Sequence, residues 1–110
     1  MVNRFRVLEA ARAVADEVNG LLRDRHSLIH RDQLRRSAQS VPANIREGIG
    51  RAVGPDRKRF YRVARGSAEE TDEHLRANFA DGRISPAIYW RLHNRLRLIV
   101  KILTVLLNED

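Results

Sequence analysis

A proline set inside an unbroken helical stripe constrains this chain more than any other feature. Leu34, Ala38, Val41, Ile45 and Ile49 recur at spacings of four, three, four and four, the repeat of one helix face. Pro42 lies in the middle of that stripe, and Gly48 and Gly50 follow it. Proline removes one backbone donor and crowds the carbonyl four residues back, so a kink near Ala38 is expected. Glycine inside a helix costs about 1 kcal/mol against alanine. Gly48 therefore calls for a packing reason, the close approach of another helix. The stretch reads as one kinked, tightly packed inner helix over about residues 31–52.

Three further helices are expected around it. Helix 1, about 3–24, has Asn3 as N-cap and an apolar face of Phe5, Leu8, Ala11, Val14 or Ala15, Val18 and Leu21. Helix 3, about 55–80, opens on Pro55, a residue suited to the first helical position. Its stripe is Phe60, Ala64, Ser67 or Ala68, Thr71, Leu75 and Phe79. Its middle is made of small residues, so helices 2 and 3 are expected to cross closely near Gly48 and Ser67. Asp81-Gly82 ends it, and Ser85 with Pro86 starts helix 4, about 85–108. Short links between long helices predict an all-α, antiparallel up-down-up-down four-helix bundle in one domain, residues 1–110.

Composition narrows the function. The chain has 110 residues and no cysteine, which excludes disulfides and cysteine-based metal sites. No apolar run is long enough to span a membrane, and the N-terminus lacks a signal peptide's apolar core, so a cytoplasmic protein is expected. The net charge is +7, and it is uneven: residues 31–65 alone carry ten basic and three acidic groups. Such a patch attracts polyanions by releasing counterions from phosphates.

Its members are Arg31, Arg35, Arg36, Arg46, Arg51, Arg57, Lys58, Arg59, Arg62 and Arg65. Lys58, Arg62 and Arg65 fall on one face of helix 3 by their spacing. Two readings stand, a solvated face laced with ion pairs and a surface for nucleic acid. No sequence-reading module is present, and only Tyr61 and Trp90 offer themselves for stacking, so any contact should be to RNA or DNA backbone.

Other constellations are weaker. Glu70 and His74 lie four apart on helix 3 and His93 lies on helix 4. No Glu-x-x-His occurs, so a di-metal bundle site is not expected. No strand or Gly-Lys-Ser/Thr accompanies the glycines, which removes a phosphate loop. Neither a cofactor nor a small-molecule substrate nor an enzyme is expected. Asn44, Glu47 and Arg51 share a helix face. They read either as a polar network fixing the helix or a subunit contact, or as a small-ligand site. In helix 4, nine of the twelve residues from Leu96 to Leu107 are apolar. They cover roughly 220° of the helix, where a surface helix needs little more than about 100°. Leu98, Ile102 and Val105 form the excess, with Trp90 on the polar strip, and a subunit interface is expected there.

The run Ser40-Val41-Pro42-Ala43-Asn44-Ile45, then Glu47-Gly48 and Gly50-Arg51, resembles the signature of the four helix bundle protein family. That family includes the proteins encoded within intervening sequences of bacterial 23S ribosomal RNA genes. A second block agrees, with Phe60, Ala64-Arg65-Gly66-Ser67-Ala68, Glu70, Asp72 and Leu75. The family usually has Glu where this chain has Asp72 and Ala where it has Arg46. The resemblance runs from about Phe5 to Leu107. It implies an up-down-up-down bundle, a ring-like homopentamer, and no catalytic activity.

Overall fold

The computed structural model describes residues 3–109. They form four helices, α1 Arg4–Asp24, α2 Arg31–Ile49, α3 Pro55–Ala80 and α4 Pro86–Leu107, and no strand. Each helix packs on the next, and α1 closes the square against α4. Contacts that pair early residues of one helix with late residues of its neighbour make α2–α3 and α3–α4 antiparallel. Ser40 meets Ser67 and Ser37 meets Thr71 between α2 and α3. Asp72 meets His93, and Arg65 meets Thr104, between α3 and α4. Leu34, Ile45, Leu75, Leu92, Leu96, Ile99 and Leu103 fill the shared core. No described helix is long and apolar enough to cross a membrane.

The helix ends follow their sequence. Asn3 Oδ1 accepts from the N–H groups of Phe5 and Arg6, and Ser85 Oγ from that of Ile88. Past α3, Gly82 takes φ +70°, a conformation that costs glycine little. There Gly82 N–H bonds the Phe79 carbonyl and Arg83 N–H bonds that of Asn78, a Schellman ending. Helix α2 continues through Pro42 but stops at Ile49, three residues before the expected end. The reason lies across the turn. Arg57 donates to the carbonyls of Gly48, Ile49 and Arg51, closing the helix end that a further turn would have closed. Arg31 does the same for α1, at the carbonyls of Leu22 and Arg25.

Two core assignments shift by a residue or two. Phe5 is 63% exposed and Val7 takes its place inside. In α3 the buried aromatic is Tyr61, 2% exposed, not Phe60. Phe60 instead lies under the guanidinium groups of Arg51 and Arg59. Tyr61 turns inward because Gly48 makes room: a Cβ on Gly48 would stand 2.5 Å from Tyr61 Cε1. Gly66, the other glycine assigned to packing, is exposed with open space beside it.

Tyr61 Oη is buried without a hydrogen-bond partner among the described residues, and such a group costs about 1–3 kcal/mol. Burial raises its pKa above the ordinary 10.0, against the pull of Arg57 and Arg4. An acid whose pKa is raised by folding loses stability as pH climbs past its unfolded value. Tyr61→Phe should therefore match or exceed the wild type at pH 7, by up to about 1 kcal/mol. The variant's advantage should widen above about pH 10. Urea midpoints at pH 7 and pH 10.5 check both halves.

Candidate nucleic-acid interface

The basic run of residues 31–65 does not fold into one patch. Arg35 pairs with Asp32 at 3.1 Å. Arg51 pairs with Glu47 at 3.5 Å and Asp56 at 3.7 Å, and Arg59 with Asp56 at 2.9 Å. Arg57 is committed to the end of α2. Arg36, Arg46, Lys58, Arg62 and Arg65 are left without a carboxylate partner among the described residues. Arg46 shares a shallow concavity with Arg12, Gln39 and Pro42 between α1 and α2. Arg36 stands exposed on α2.

The other three lie together on α3. Lys58 and Arg62, one turn apart, flank an open concavity of about 380 Å³ with Gly54 and Pro55. Arg65 continues the line and reaches α4, donating to Thr104 Oγ1 at 3.2 Å. Lys101 is exposed three residues before Thr104, one turn of α4 from Arg65's partner, and offers a fourth cation on this edge. Sequence reasoning missed Lys101, because only the Arg65–Thr104 contact brings its part of α4 to this edge. Arg59 leaves the strip, held by Asp56 and Phe60.

No exposed tyrosine serves this surface, since Tyr61 is in the core. Trp90 is half exposed, and its ring meets Phe79, Tyr89 and His93 within the chain. That cluster adjoins a buried carboxylate. Asp72 accepts from His93 Nδ1 at 2.9 Å, Arg76 at 3.2 Å and Tyr89 Oη at 3.3 Å. Three donors offset the cost of burying its charge.

The signature residues separate into two groups. Asn44 donates to the Ser40 carbonyl and Oγ, and Ser67 Oγ donates to Ser40 Oγ at 2.8 Å. Thr71 extends this seam to Ser37. Small hydroxyl groups thus bring α2 and α3 together at Ser40 and Ser67, while Gly48 serves Tyr61. Glu47 and Arg51 belong instead to the ion pairs of the α2–α3 turn. Glu70 is exposed and faces His74 Nε2 at 3.3 Å. On α4, Leu98 is 54% and Val105 42% exposed, and Ile102 is half-buried. No group of three or more metal-ligating side chains converges among the described residues.

Known proteins place this fold. The chain is similar to a protein of unknown function from the S23 ribosomal protein family of Bacteroides thetaiotaomicron VPI-5482. The two are 24% identical, with a TM-score of 0.83 over 98% of this chain and 100% of the other. At that identity the likeness speaks for the fold. No curated protein matches. Residues 3–105 match the family described as "23S rRNA-intervening sequence protein". With nearly its whole length matched, the chain belongs to the 23S rRNA-intervening sequence protein family.

Proposed function

We propose that this protein is a non-catalytic, oligomeric helical bundle that binds the phosphate backbone of nucleic acid. The observation that carries this reading is the strip of Lys58, Arg62, Arg65 and Lys101 along the α3–α4 edge. It remains without carboxylate partners where neighbouring arginines are consumed by ion pairs and carbonyls. Four cations on one edge suit contacts to a charged backbone, and no base-reading module accompanies them. RNA is the favoured ligand because the family is described by a ribosomal RNA intervening sequence. Cytoplasmic residence fits that ligand. The test is Gln substitution at Lys58, Arg62, Arg65 and Lys101 together, with RNA and DNA affinity measured against the wild type. Affinity unchanged in the variant contradicts the assignment.

The bundle is proposed to act as a ring-like homopentamer, with α2 bending at Pro42 to shape the subunit. Support comes from the exposure of Leu98 and Val105, which leaves an apolar face on α4 that a partner subunit would cover. Trp90, half exposed, is assigned to the same interface. Leu98→Glu, Ile102→Glu and Val105→Glu should each disperse the assembly while leaving the helical spectrum intact. Light scattering that finds the wild type monomeric at micromolar concentration contradicts the ring. A second reading, a structural ring or adaptor for another protein, rests on this apolar face alone. It predicts assembly without salt-sensitive binding to RNA or DNA.

A further inference from the structure

The α1–α2 connector breaks local rules at one residue. His30 precedes α2 at the N-cap position, where Ser, Thr, Asp or Asn is preferred. Its side chain makes no capping bond, and its backbone is left-handed at φ 56° and ψ 39°. Among the described residues it is the one non-glycine with positive φ. Few residues other than glycine take that conformation, though histidine is among those that enter it more often, and departures of this kind concentrate at functional sites.

The ring of His30 turns instead onto α3. His30 Nδ1 stands 3.2 Å from His74 Nδ1, with the two ring planes 80° apart. This arrangement is built rather than incidental. Asn78, fully buried, accepts from Ile29 N–H at 2.8 Å and donates to the Ile29 carbonyl at 3.0 Å. It also donates to the His74 carbonyl at 2.8 Å. One side chain thus fixes the residue before His30 and the helical turn that carries His74.

The far side of His74 is held too. His74 Nε2 lies 3.3 Å from Glu70 Oε2. A carboxylate there accepts a hydrogen bond from Nε2–H, which keeps that proton on Nε2 and the lone pair on Nδ1, aimed at His30. A carboxylate behind an imidazole is the outer partner that metal-ligating histidines almost always have. The gap between the rings also fits one ion. With metal–nitrogen bonds of about 2.0–2.1 Å, nitrogens at this separation subtend an angle of about 100°, close to tetrahedral.

We propose that His30 and His74 form a two-imidazole site for a divalent transition-metal ion, Zn²⁺ above all, with Glu70 orienting His74. Both Nδ1 atoms bind the ion. The Nδ1 proton of His30 moves through solvent to its Nε2, so the ring stays neutral and no further group is needed. Two protein ligands leave positions open for water. Sequence reading set His74 aside because no Glu-x-x-His accompanies it; the pairing with His30 arises only when Asn78 docks the connector on α3.

The test uses the full chain, stripped by chelator and titrated with zinc chloride while the histidine ring nitrogens are followed by NMR. His30 and His74 should shift together in one saturable step, with His26 and His93 unmoved. His30→Asn removes one ligand with a residue that enters the left-handed region readily and caps helices well. It should therefore fold at least as well without zinc and lose the saturable step. His74→Ala should lose it too. Glu70→Gln should keep the step at affinity lower by about tenfold or more. His30 and His74 signals that stay fixed in excess zinc overturn the proposal. So does a saturable step that survives in the folded His30→Asn variant, or an undiminished affinity in Glu70→Gln.

Discussion

Gly48→Ala should destabilise the protein by about 1–3 kcal/mol, although alanine is the better helix former by about 1 kcal/mol. The new Cβ would stand 2.5 Å from Tyr61 Cε1 and 2.7 Å from Cδ1. Carbon atoms at ordinary contact keep about 3.5–4.0 Å, so either ring or helix must move. The ring has little freedom to do so. Tyr61 is 2% exposed and sits among core residues, and its contacting atoms belong to a rigid plane rather than to a flexible tip. Interiors packed to this density answer added volume with strain.

Two further variants isolate the cause. Gly66→Ala adds the same methyl group to α3 where nothing lies within 4 Å, so only propensity acts and stability should rise by up to about 1 kcal/mol. In a Tyr61→Ala background the ring is gone, and Gly48→Ala should change from harmful to neutral or favourable. A double-mutant cycle on these two positions then gives a coupling within the usual range of about 0.5–3 kcal/mol. Equal effects of the Gly48 and Gly66 substitutions, read from urea midpoints, contradict the close approach.

The helices were legible in the sequence because each carries its signals locally. The stripe through Pro42 predicted that α2 runs on past that residue as one helix, and Asn3 and Ser85 named their own caps. Along α4, Leu92, Leu96, Ile99, Leu103 and Leu106 recur at spacings of four, three, four and three, and all reach the core. What failed depended on contacts between helices. Phe60 and Tyr61 are adjacent aromatics, and periodicity cannot choose between them; the space above Gly48 chooses Tyr61. Arg57 and Lys58 are neighbours of like charge in one run. Arg57 reaches carbonyls six to nine residues back, while Lys58 faces an open concavity. Charge counting saw ten cations in residues 31–65, whereas the fold divides them into ion pairs, helix caps and a short strip, with Arg36 and Arg46 standing apart on α2. The fourth member of that strip, Lys101, comes from a different helix and gave no signal in the run itself. His30 gave none either, since its left-handed backbone follows from the docking of Ile29 by Asn78.

The second large effect concerns the strip. Neutralising Lys58, Arg62, Arg65 and Lys101 should weaken binding uniformly across nucleic-acid sequences, because contacts to phosphate position a ligand without reading bases. Each lost contact also removes a released counterion. Arg59→Gln, by contrast, removes a cation already paired with Asp56 at 2.9 Å and stacked on Phe60 at 4.5 Å. It should cost far less affinity than any member of the strip. Arg57→Gln should lower stability rather than affinity, since its guanidinium closes the end of α2.

The most direct test of the whole account is the affinity of the wild-type protein for a short RNA duplex, measured as salt rises from about 50 to 200 mM. The logarithm of the binding constant should fall linearly with the logarithm of salt concentration. On B-DNA the slope is close to −0.9 for each phosphate contact. For a DNA duplex of equal length, the fourfold Gln variant should lose about 3–4 from the steepness of that slope. A wild type that binds neither duplex at low salt contradicts a phosphate-binding strip on this bundle, as does a slope that the four substitutions leave unchanged.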